Sequence, residues 1–300
     1  MIKKYLKKLL LIVIPKSLFA KGKAIFFYTL YKRTKNKFMD ADPNENFLSI
    51  SDLRKMQLQF KHPPEYGYSK EILDKRGRER ADYLLKLVPR NIESTLELGC
   101  WDGMVSYHLM KKGKKAIGID NRNEGFDSRA LIDKVCLIQM DASDLKLKDN
   151  SVDLVFSYDA FEHFSNPEKV MSEIYRVLKP NGYIYLEFGP LFMSPMGLHV
   201  YRQITVPYCQ FLFSENTLIE FVKEKKLESI DFNHCNGWSL TKFRDLWKTY
   251  DEKLIKLKYE ESKDYRHLKI INKYPSLFKN KTENFENLIC SSISVFFQKK

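Results

Sequence analysis

Residues 95–103, with the sequence TLELGCWDG, constrain the fold of this chain more than any other stretch. An apolar run ends at Gly99 and a helical pattern begins after the next glycine, so the segment predicts a strand, a tight turn and a helix. A turn that holds a dinucleotide pyrophosphate needs the pattern G-x-G-x-x-G. Gly99 is the first of these glycines, but Trp101 and Met104 occupy the other two positions. The segment therefore predicts a Rossmann-like fold whose first turn does not hold a pyrophosphate.

Two acidic side chains accompany this turn. Glu97 lies in the predicted strand and Asp102 in the turn itself. Both carboxylates would repel a pyrophosphate, and both would attract a cation. The turn is therefore suited to a ligand that carries positive charge.

Strands and helices alternate through the centre of the chain. Strands are predicted near 94–98, 115–119, 135–140, 152–157 and 183–188, and helices near 69–87, 103–112, 125–133 and 167–178. The last helix has the clearest pattern, because Asn166 caps it and Pro167 suits its first turn. Such alternation predicts a parallel sheet with right-handed crossovers and helices on both faces, whose ligands bind at the carboxyl ends of the strands.

The regular alternation ends at residue 188. An aromatic segment marked by prolines follows at 189–213, then a helix near 215–226 and a strand near 228–233. Residues 238–288 predict a mostly helical, lysine-rich insertion. Residues 289–298 alternate apolar residues with serines and predict an antiparallel closing strand. The predicted fold class is α/β, with a mostly parallel seven-stranded sheet. The predicted domains are a basic arm (1–39), a linker with an N-terminal helix (40–92), the core (93–233), and a helical insertion with the closing strand (234–300).

Positive charge is concentrated at the N terminus. Of the formal net charge of +13, residues 1–39 contribute +11, with eleven Lys or Arg and no Asp or Glu. The longest apolar run of this arm is six residues, well below the roughly 20 that span a bilayer and the roughly 7–15 of a signal peptide. Because the lysines alternate with aliphatic and aromatic residues, we expect the arm to lie on an anionic membrane surface. Contact with RNA and a helix packed on the core are the alternatives.

The cysteines indicate the redox environment. Cys100, Cys136, Cys209, Cys235 and Cys290 form an odd number without a C-x-x-C pair. This usage is typical of the reducing cytosol and predicts neither a disulfide framework nor a structural zinc. We expect a cytoplasmic protein that associates peripherally with the inner face of the cell membrane.

Two further carboxylates follow predicted strands. Asp120 ends the run AIGID, 21 residues after Gly99, and Asp141 begins a long run, DASDLKLKDNSVDLVFSYDAFEHFSNPEKV, which leads to RVLKPNGYIYLEF. The order of D-A-x-x-L, S-x-D-x-V-x-S, E-H and R-V-L-K-P-x-G over residues 93–188 closely resembles the class I S-adenosylmethionine (SAM)-dependent methyltransferases, and within them the type 11-like group. The resemblance implies a Rossmann-like class I methyltransferase fold, SAM as the cofactor and methyl transfer as the activity.

The resemblance also implies how the cofactor is held. Asp120 would bind the ribose hydroxyls, Asp141 the adenine amino group, and Glu97 would lie near the charged end. The implied cofactor-binding residues are Glu97, Gly99, Trp101, Gly103, Asp120, Asp141, Ala142 and Tyr158. Trp101 departs from the family, in which the middle position is glycine. We expect that only the two outer glycines need unusual backbone angles and that the indole covers the cofactor.

The predicted acceptor atom is oxygen or an activated carbon. Residues 157–160 are SYDA, which lacks the N-P-P-Y-like run of enzymes that methylate base amines and the cysteine of those that methylate cytosine C5. His163 occupies the place where some similar sugar O-methyltransferases keep their base, and His199 is the second predicted catalytic residue. A loop-capping histidine is the alternative for His163. Asp159 and Glu162 are too few for a metal site, and none is predicted.

Residues 189–213 are predicted to form a lid over the acceptor. The aromatic faces expected to stack on it are Phe192, Tyr201, Tyr208 and Phe211. With the upstream run PPEYGYSKEILDKRGRERA, whose arginines are expected to be solvated, the lid resembles bacterial methyltransferases of surface-glycan biosynthesis. This resemblance implies a sugar hydroxyl of a lipid-linked or nucleotide-linked glycan as the acceptor. A membrane quinone, a tRNA and a catalytically silent scaffold are the alternatives, and nucleic acid is not the expected partner.

Overall fold

The computed structural model describes residues 16–44, 46–63 and 67–300, with side chains from residue 27 onward. The strands are β1 (Ser94–Leu98), β2 (Lys115–Asp120), β3 (Cys136–Gln139), β4 (Val152–Tyr158), β5 (Leu178–Phe188), β6 (Leu254–Lys263) and β7 (Cys290–Lys299). The helices are α1 (Lys16–Met39), α2 (Ile50–Gln57), α3 (Lys70–Leu87), α4 (Met104–Lys111), α5 (Ser128–Ile132), α6 (Pro167–Val177), α7 (Cys209–Leu212), α8 (Glu215–Glu224), α9 (Leu240–Lys248), α10 (Leu268–Lys273), α11 (Pro275–Lys279) and α12 (Phe285–Ile289).

The seven strands form one sheet in the order β3-β2-β1-β4-β5-β7-β6. The first five are parallel, whereas β7 runs antiparallel to both β5 and β6. The prediction of a mostly parallel seven-stranded α/β sheet is therefore confirmed. Because β1 and β4 are central and parallel, their carboxyl ends lie side by side in the middle of one edge.

The predicted position of the sixth strand is wrong. Residues 228–233 form no strand, and β6 instead lies within the segment predicted as a helical insertion. The sequence of β6, LIKLKYEESK, is largely charged because this strand pairs only with β7 and leaves most of its residues exposed. An edge strand of this kind lacks the apolar alternation by which a strand is recognised.

Both faces of the sheet are covered, as predicted. On one face, α3 and α4 pack through Ala81, Leu84 and Leu109 on alternate residues of β4 and β5. On the other face, α6 and α9 pack on the remaining residues of the same strands through Ile174 and Trp247. The two faces hold the strands rigidly, so their carboxyl ends are fixed platforms for a site.

A second apolar core lies beyond the sheet, which we call the cap. It is formed by α1, α2, residues 189–213, α8 and the helices α10–α12, with Phe38, Leu53 and Phe278 buried inside. Residues 40–68, predicted as a linker, therefore contain a packed helix, α2, whose N terminus is closed by a capping box from Ser49. The cap covers the carboxyl edge of the sheet.

The basic arm is described only in part. Its predicted apolar run lies in residues 1–15, outside the described residues. In α1, Tyr31 and Phe38 contact the ring of Phe285, and Lys37 donates a hydrogen bond to the Asn272 carbonyl. Residues 31–38 therefore match the alternative of a helix packed on the core. None of the helices within the described ranges is long and apolar enough to span a bilayer.

Candidate active site

A cavity of about 540 Å³ opens where the cap meets the carboxyl ends of β1 and β4. Its volume is within the range typical of small-molecule sites. Of the predicted site residues, it is lined by Glu97, Gly99, Trp101, Tyr158, His163 and His199. Gly103, Asp120, Asp141 and Ala142 lie outside this lining, next to it on the β1–β3 side of the sheet. The structure thus brings both predicted catalytic histidines into one space with part of the predicted cofactor site.

The turn after β1 uses three residues with positive φ. Gly99 and Gly103 have φ of 68° and 74°, as expected for glycines, but Trp101 also has φ of 42°. The prediction that only the outer glycines need unusual angles is therefore wrong, and the left-handed backbone of Trp101 costs about 1–2 kcal/mol. A Cβ on Gly99 would lie 2.5 Å from the Ala160 Cβ, so this glycine also allows the loop after β4 to approach.

Glu97 is a buried carboxyl at the base of the cavity. Its Oε2 accepts hydrogen bonds from the Ser106 backbone N–H at 3.0 Å and the Ser106 hydroxyl at 2.7 Å. Burial, assisted by repulsion from Asp102, raises the pKa of Glu97 to about 8 despite these two hydrogen bonds. A cation bound beside this carboxyl group would favour its ionised form.

Asp120 and Asp141 follow adjacent strands. The Asp120 carboxylate accepts hydrogen bonds from the Trp101 backbone N–H at 3.0 Å and from Arg122 Nε at 3.0 Å. The Met140 N–H donates to the Asp120 carbonyl at 2.8 Å, which sets Asp141 next to the end of β2. Asp141 is exposed, and Ala142 is buried in the core.

Two arginines of α3 point into the cavity, so the expectation that this face is solvated is wrong for them. Arg76 Nη2 lies 3.0 Å from Asp102 Oδ2, and Arg80 forms an ion pair with Asp159. The Arg80 guanidinium also lies 4.4 Å from the centre of the Tyr158 ring. The sequence contains the reason. Residues 76 and 80 are about one helical turn apart, so their side chains lie on the same face of α3. Gly77, next to Arg76, lacks a Cβ and so allows α3 to contact the Met104 backbone.

His163 and His199 meet at the far end of the cavity together with His234. The ring centroids of His163 and His199 are 4.9 Å apart, and those of His163 and His234 are 4.3 Å apart. Burial lowers the pKa of His199 to about 4 and also lowers the pKa of His163. Both rings are therefore neutral at physiological pH and carry a free lone pair.

Glu162 lies beneath these histidines and is almost completely buried. Its Oε1 accepts a hydrogen bond from the Gly189 N–H at 2.9 Å, and its Oε2 has no hydrogen-bond partner within the described residues. Burial raises the pKa of Glu162 to about 8. A buried oxygen without a partner is costly, which is typical of a binding site whose ligand is absent.

Three of the four aromatic side chains that were predicted to stack on the acceptor are packed in the cap instead. Tyr208 is fully buried, donates its hydroxyl to the Leu288 carbonyl and contacts the Phe278 ring edge to face. Phe211 and Phe192 also pack in the cap, and only Tyr201 of the four lines the cavity. The lid lines the cavity with residues between 189 and 201, among which Tyr201 is the only one of the four predicted aromatic residues.

A second opening of about 450 Å³ continues from the cavity along β5 and β7. The two openings share Asp159, Gly189, Pro190 and Ser291. The side chains that line only the second opening are mostly polar: Tyr83, Tyr185, Glu187, Glu260, Ser262, Ser292 and Ser294. We call this surface the serine groove.

The charges of the cavity suit a cationic cofactor. Five carboxyl side chains line it, against three arginines: Glu97, Asp102, Asp159, Glu162 and Asp264 against Arg76, Arg80 and Arg266. Acidic side chains of this lining can pair with the ammonium and sulfonium groups of SAM, and the arginines with its carboxylate. A cavity with this donor set at the carboxyl edge of a 3-2-1-4-5-7-6 sheet is typical of the class of SAM-binding methyltransferases.

Comparison with known proteins identifies the family. A family model described as a methyltransferase domain matches residues 96–186. Demethylmenaquinone methyltransferase of Thermus thermophilus is 31% identical over 170 residues, which cover 51% of this chain and 75% of that protein. The chain belongs to the SAM-dependent methyltransferases, and its cofactor is SAM.

Other relatives match over shorter or more divergent stretches. Sterol 24-C-methyltransferase of Pneumocystis carinii is 32% identical over 101 residues, 31% of this chain and 27% of that protein. The chain therefore spans only about a quarter of the length of that relative. The solved PH0226 protein of Pyrococcus horikoshii has a TM-score of 0.47 at 19% identity, covering 78% of this chain and 93% of that protein.

His234 is the residue that sequence reasoning missed. It follows α8 in an irregular loop without helical or strand periodicity, 71 residues after His163. No local pattern marks it, because its neighbour in space comes from another part of the fold.

Proposed function

We propose that this enzyme transfers the methyl group to a sugar hydroxyl of a lipid-linked or nucleotide-linked surface glycan. The observation that carries the proposal is the serine groove, which extends the cavity with hydroxyl and carboxylate side chains. A sugar presents several hydroxyls in a row, and such side chains can pair with each of them. The length of the groove beyond the cavity leaves room for an acceptor longer than one ring.

The cofactor end of the cavity would be formed by the acidic turn. Glu97 would face the ammonium group, and Arg76 and Arg80 would face the carboxylate at the same end. Asp120 would hold the ribose hydroxyls, with Arg122 and the Trp101 N–H fixing the orientation of its carboxylate. Asp141 would bind the adenine edge from the end of β3. Trp101, Gly99 and Tyr158 would form the walls.

The chemistry requires little beyond positioning and proton removal. SAM, when bound, supplies an electrophilic methyl carbon whose bond to sulfur breaks with the electron pair left on sulfur. The acceptor oxygen would form the new bond to that carbon, and its proton would pass to a neutral imidazole. His163 and His199, which line the same cavity, would offer such lone pairs. The protein therefore contributes in-line approach and a base.

A membrane quinone is the second candidate acceptor. The relative from Thermus thermophilus is named for demethylmenaquinone, and it matches half of this chain. A quinone ring would have to occupy a cavity lined by several charged side chains, and its apolar tail would desolvate the serine groove without replacing the lost hydrogen bonds. The polarity of the serine groove favours the sugar.

The test incubates the purified full-length enzyme with methyl-labelled SAM and fractionated cell extract. Label in a lipid fraction or nucleotide sugar that mild acid converts to a water-soluble methylated sugar is the expected result. Label in an acid-stable apolar lipid would replace the proposal by the quinone. A variant with Glu187→Gln and Ser294→Ala removes a charge and a hydroxyl from the serine groove. We expect it to raise KM for the sugar acceptor while SAM binding is unchanged, whereas unchanged KM would contradict the role of the groove.

A further inference from the structure

Three histidine side chains converge at the acceptor end of the cavity from three separate segments. His163 follows β4, His199 lies in the lid and His234 lies in the loop after α8. One ring nitrogen from each lies within 4.8 Å of one from each of the others. Such convergence from distant parts of the chain is not required by packing, since two of the three rings are half-buried and the third is exposed.

Backbone carbonyls determine which nitrogens are available. His163 Nδ1 lies 2.7 Å from the His234 carbonyl oxygen, and His199 Nε2 lies 2.8 Å from the Pro190 carbonyl oxygen. A carbonyl only accepts, so these two nitrogens carry the hydrogens. The opposite nitrogens, His163 Nε2 and His199 Nδ1, therefore hold the lone pairs. Metal-binding histidines are commonly fixed in this way, with the second nitrogen donating to a carbonyl.

A buried carboxylate lies beside the cluster. Glu162 Oε1 is 3.8 Å from His163 Nε2, and Glu162 Oε2 has no hydrogen-bond partner within the described residues. The unpaired oxygen would gain a partner from a cation held by the cluster or from water bound to that cation.

We propose that His163, His199 and His234 form a binding site for a divalent transition-metal ion of the zinc type. Imidazole nitrogens are preferred ligands of such ions, and three protein ligands with an open fourth position are typical of catalytic zinc. Zinc–nitrogen bonds of about 2.0–2.1 Å need ligand atoms about 3.4 Å apart. The nitrogens, which lie within 4.8 Å of one another, would therefore have to move closer on binding, and the exposed His234 ring has the most room to do so.

The role of the ion rests on the proposed function. All three histidines line the cavity that the serine groove extends, so an acceptor hydroxyl bound there could reach the ion. A cation there lowers the pKa of a hydroxyl that reaches it, so the proton leaves to solvent water while the oxygen bonds to the methyl carbon. With the ion bound, the three histidines would act as ligands, and solvent water would replace the imidazole that accepts the proton in the metal-free form of the proposed function.

The test measures metal binding by the full-length chain without a polyhistidine tag. Chelator-treated protein is dialysed against Zn²⁺ and analysed by mass spectrometry for bound metal, with Co²⁺ absorption as an independent probe of nitrogen ligands. We expect one ion per chain, and at least about tenfold weaker binding in His199→Gln and His234→Gln. The matched control is His108→Gln, which removes a half-buried histidine on α4 that pairs with Asp74. That control should bind metal like the original chain.

The outcomes separate the metal site from the proposed function. Failure of the original chain to retain Zn²⁺ or to shift the Co²⁺ spectrum would overturn the site, and so would equal binding by all three variants. A sugar product formed at full rate by the metal-free enzyme would overturn the catalytic role of the ion. Metal binding without any methylated sugar would support the site and contradict the proposed acceptor.

Discussion

At the residue scale, the protonation state of Glu97 is expected to couple cofactor binding to pH. Its carboxyl is buried among the strands, so its proton is retained up to a pKa of about 8. The cofactor presents a positive charge to this position in the proposed arrangement. Binding would therefore favour the ionised form and release a proton.

We expect the affinity for SAM to rise by up to about tenfold per pH unit as the pH approaches 7 from below. Below that pH the amino group of the cofactor stays protonated, so the change reports on the protein. Isothermal titration at several pH values measures this slope and the proton released. Glu97→Gln should bind more weakly and with a flat profile, whereas the exposed control Glu93→Gln should behave like the original enzyme. A slope that persists in Glu97→Gln would contradict the assignment.

At the scale of elements, Asp153 joins three elements at the amino end of the sheet. Its carboxylate accepts hydrogen bonds from the Glu93 and Ser94 backbone N–H groups and from Lys179 Nζ, at 3.0–3.1 Å. Burial opposes ionisation, but the hydrogen bonds from Ser94 and Lys179 prevail and lower the pKa of Asp153 to about 2. The contact fixes β4 against the start of β1, and hence the level at which the carboxyl ends of both strands meet.

We expect Asp153→Ala to lower the free energy of unfolding by about 3 kcal/mol, because buried N–H groups lose their acceptor. The unfolded Asp153, with its ordinary pKa of 3.8, binds more protons than the folded one between pH 3.8 and about 2. The stabilisation is therefore present above pH 3.8 and is lost as the pH falls through that window. Urea unfolding at pH 7 and pH 3 measures both effects. Asp144→Asn, which breaks only an exposed ion pair with Lys146, is the control and should change stability by less than about 1 kcal/mol.

At the scale of the whole molecule, the charge is divided unequally. Residues 40–300 are nearly neutral, whereas residues 1–39 carry +11. The second half of α1 anchors this segment to the cap through Tyr31 and Phe38. A lipid-linked acceptor would reside at a membrane surface, and we propose that the arm holds the enzyme there.

We expect the full-length protein to sediment with vesicles that contain anionic lipid and to be released by salt. Replacing the four lysines of residues 1–10 with Glu should weaken vesicle binding at least about a hundredfold, since each is worth about 1 kcal/mol near such a surface. Those lysines are Lys3, Lys4, Lys7 and Lys8. The control replaces four exposed lysines elsewhere: Lys75, Lys146, Lys225 and Lys248. Equal loss in both variants would indicate net charge rather than the arm.

The parts of the fold that the sequence determined are those with short-range patterns. The strand, turn and helix around Gly99 and the helix capped by Asn166 were predictable, because spacing and turn chemistry act within a few residues. The order of the acidic strand ends, from Glu97 to Asp141, was predictable for the same reason. These features also predicted the family and its cofactor, which the comparisons confirm.

Only the tertiary structure decided what lies opposite that turn. Tyr208 and Phe211 are aromatic residues of the kind that stack on ligands, but they are buried in the cap. Both rings pack on Phe278, which follows more than 60 residues later in the chain. The strand β6 was hidden because an edge strand needs few apolar residues. His163 and His234 meet although 71 residues separate them. The sequence by itself thus determined the strand, turn and helix around Gly99, whereas long-range packing of the cap decided which other side chains line the cavity.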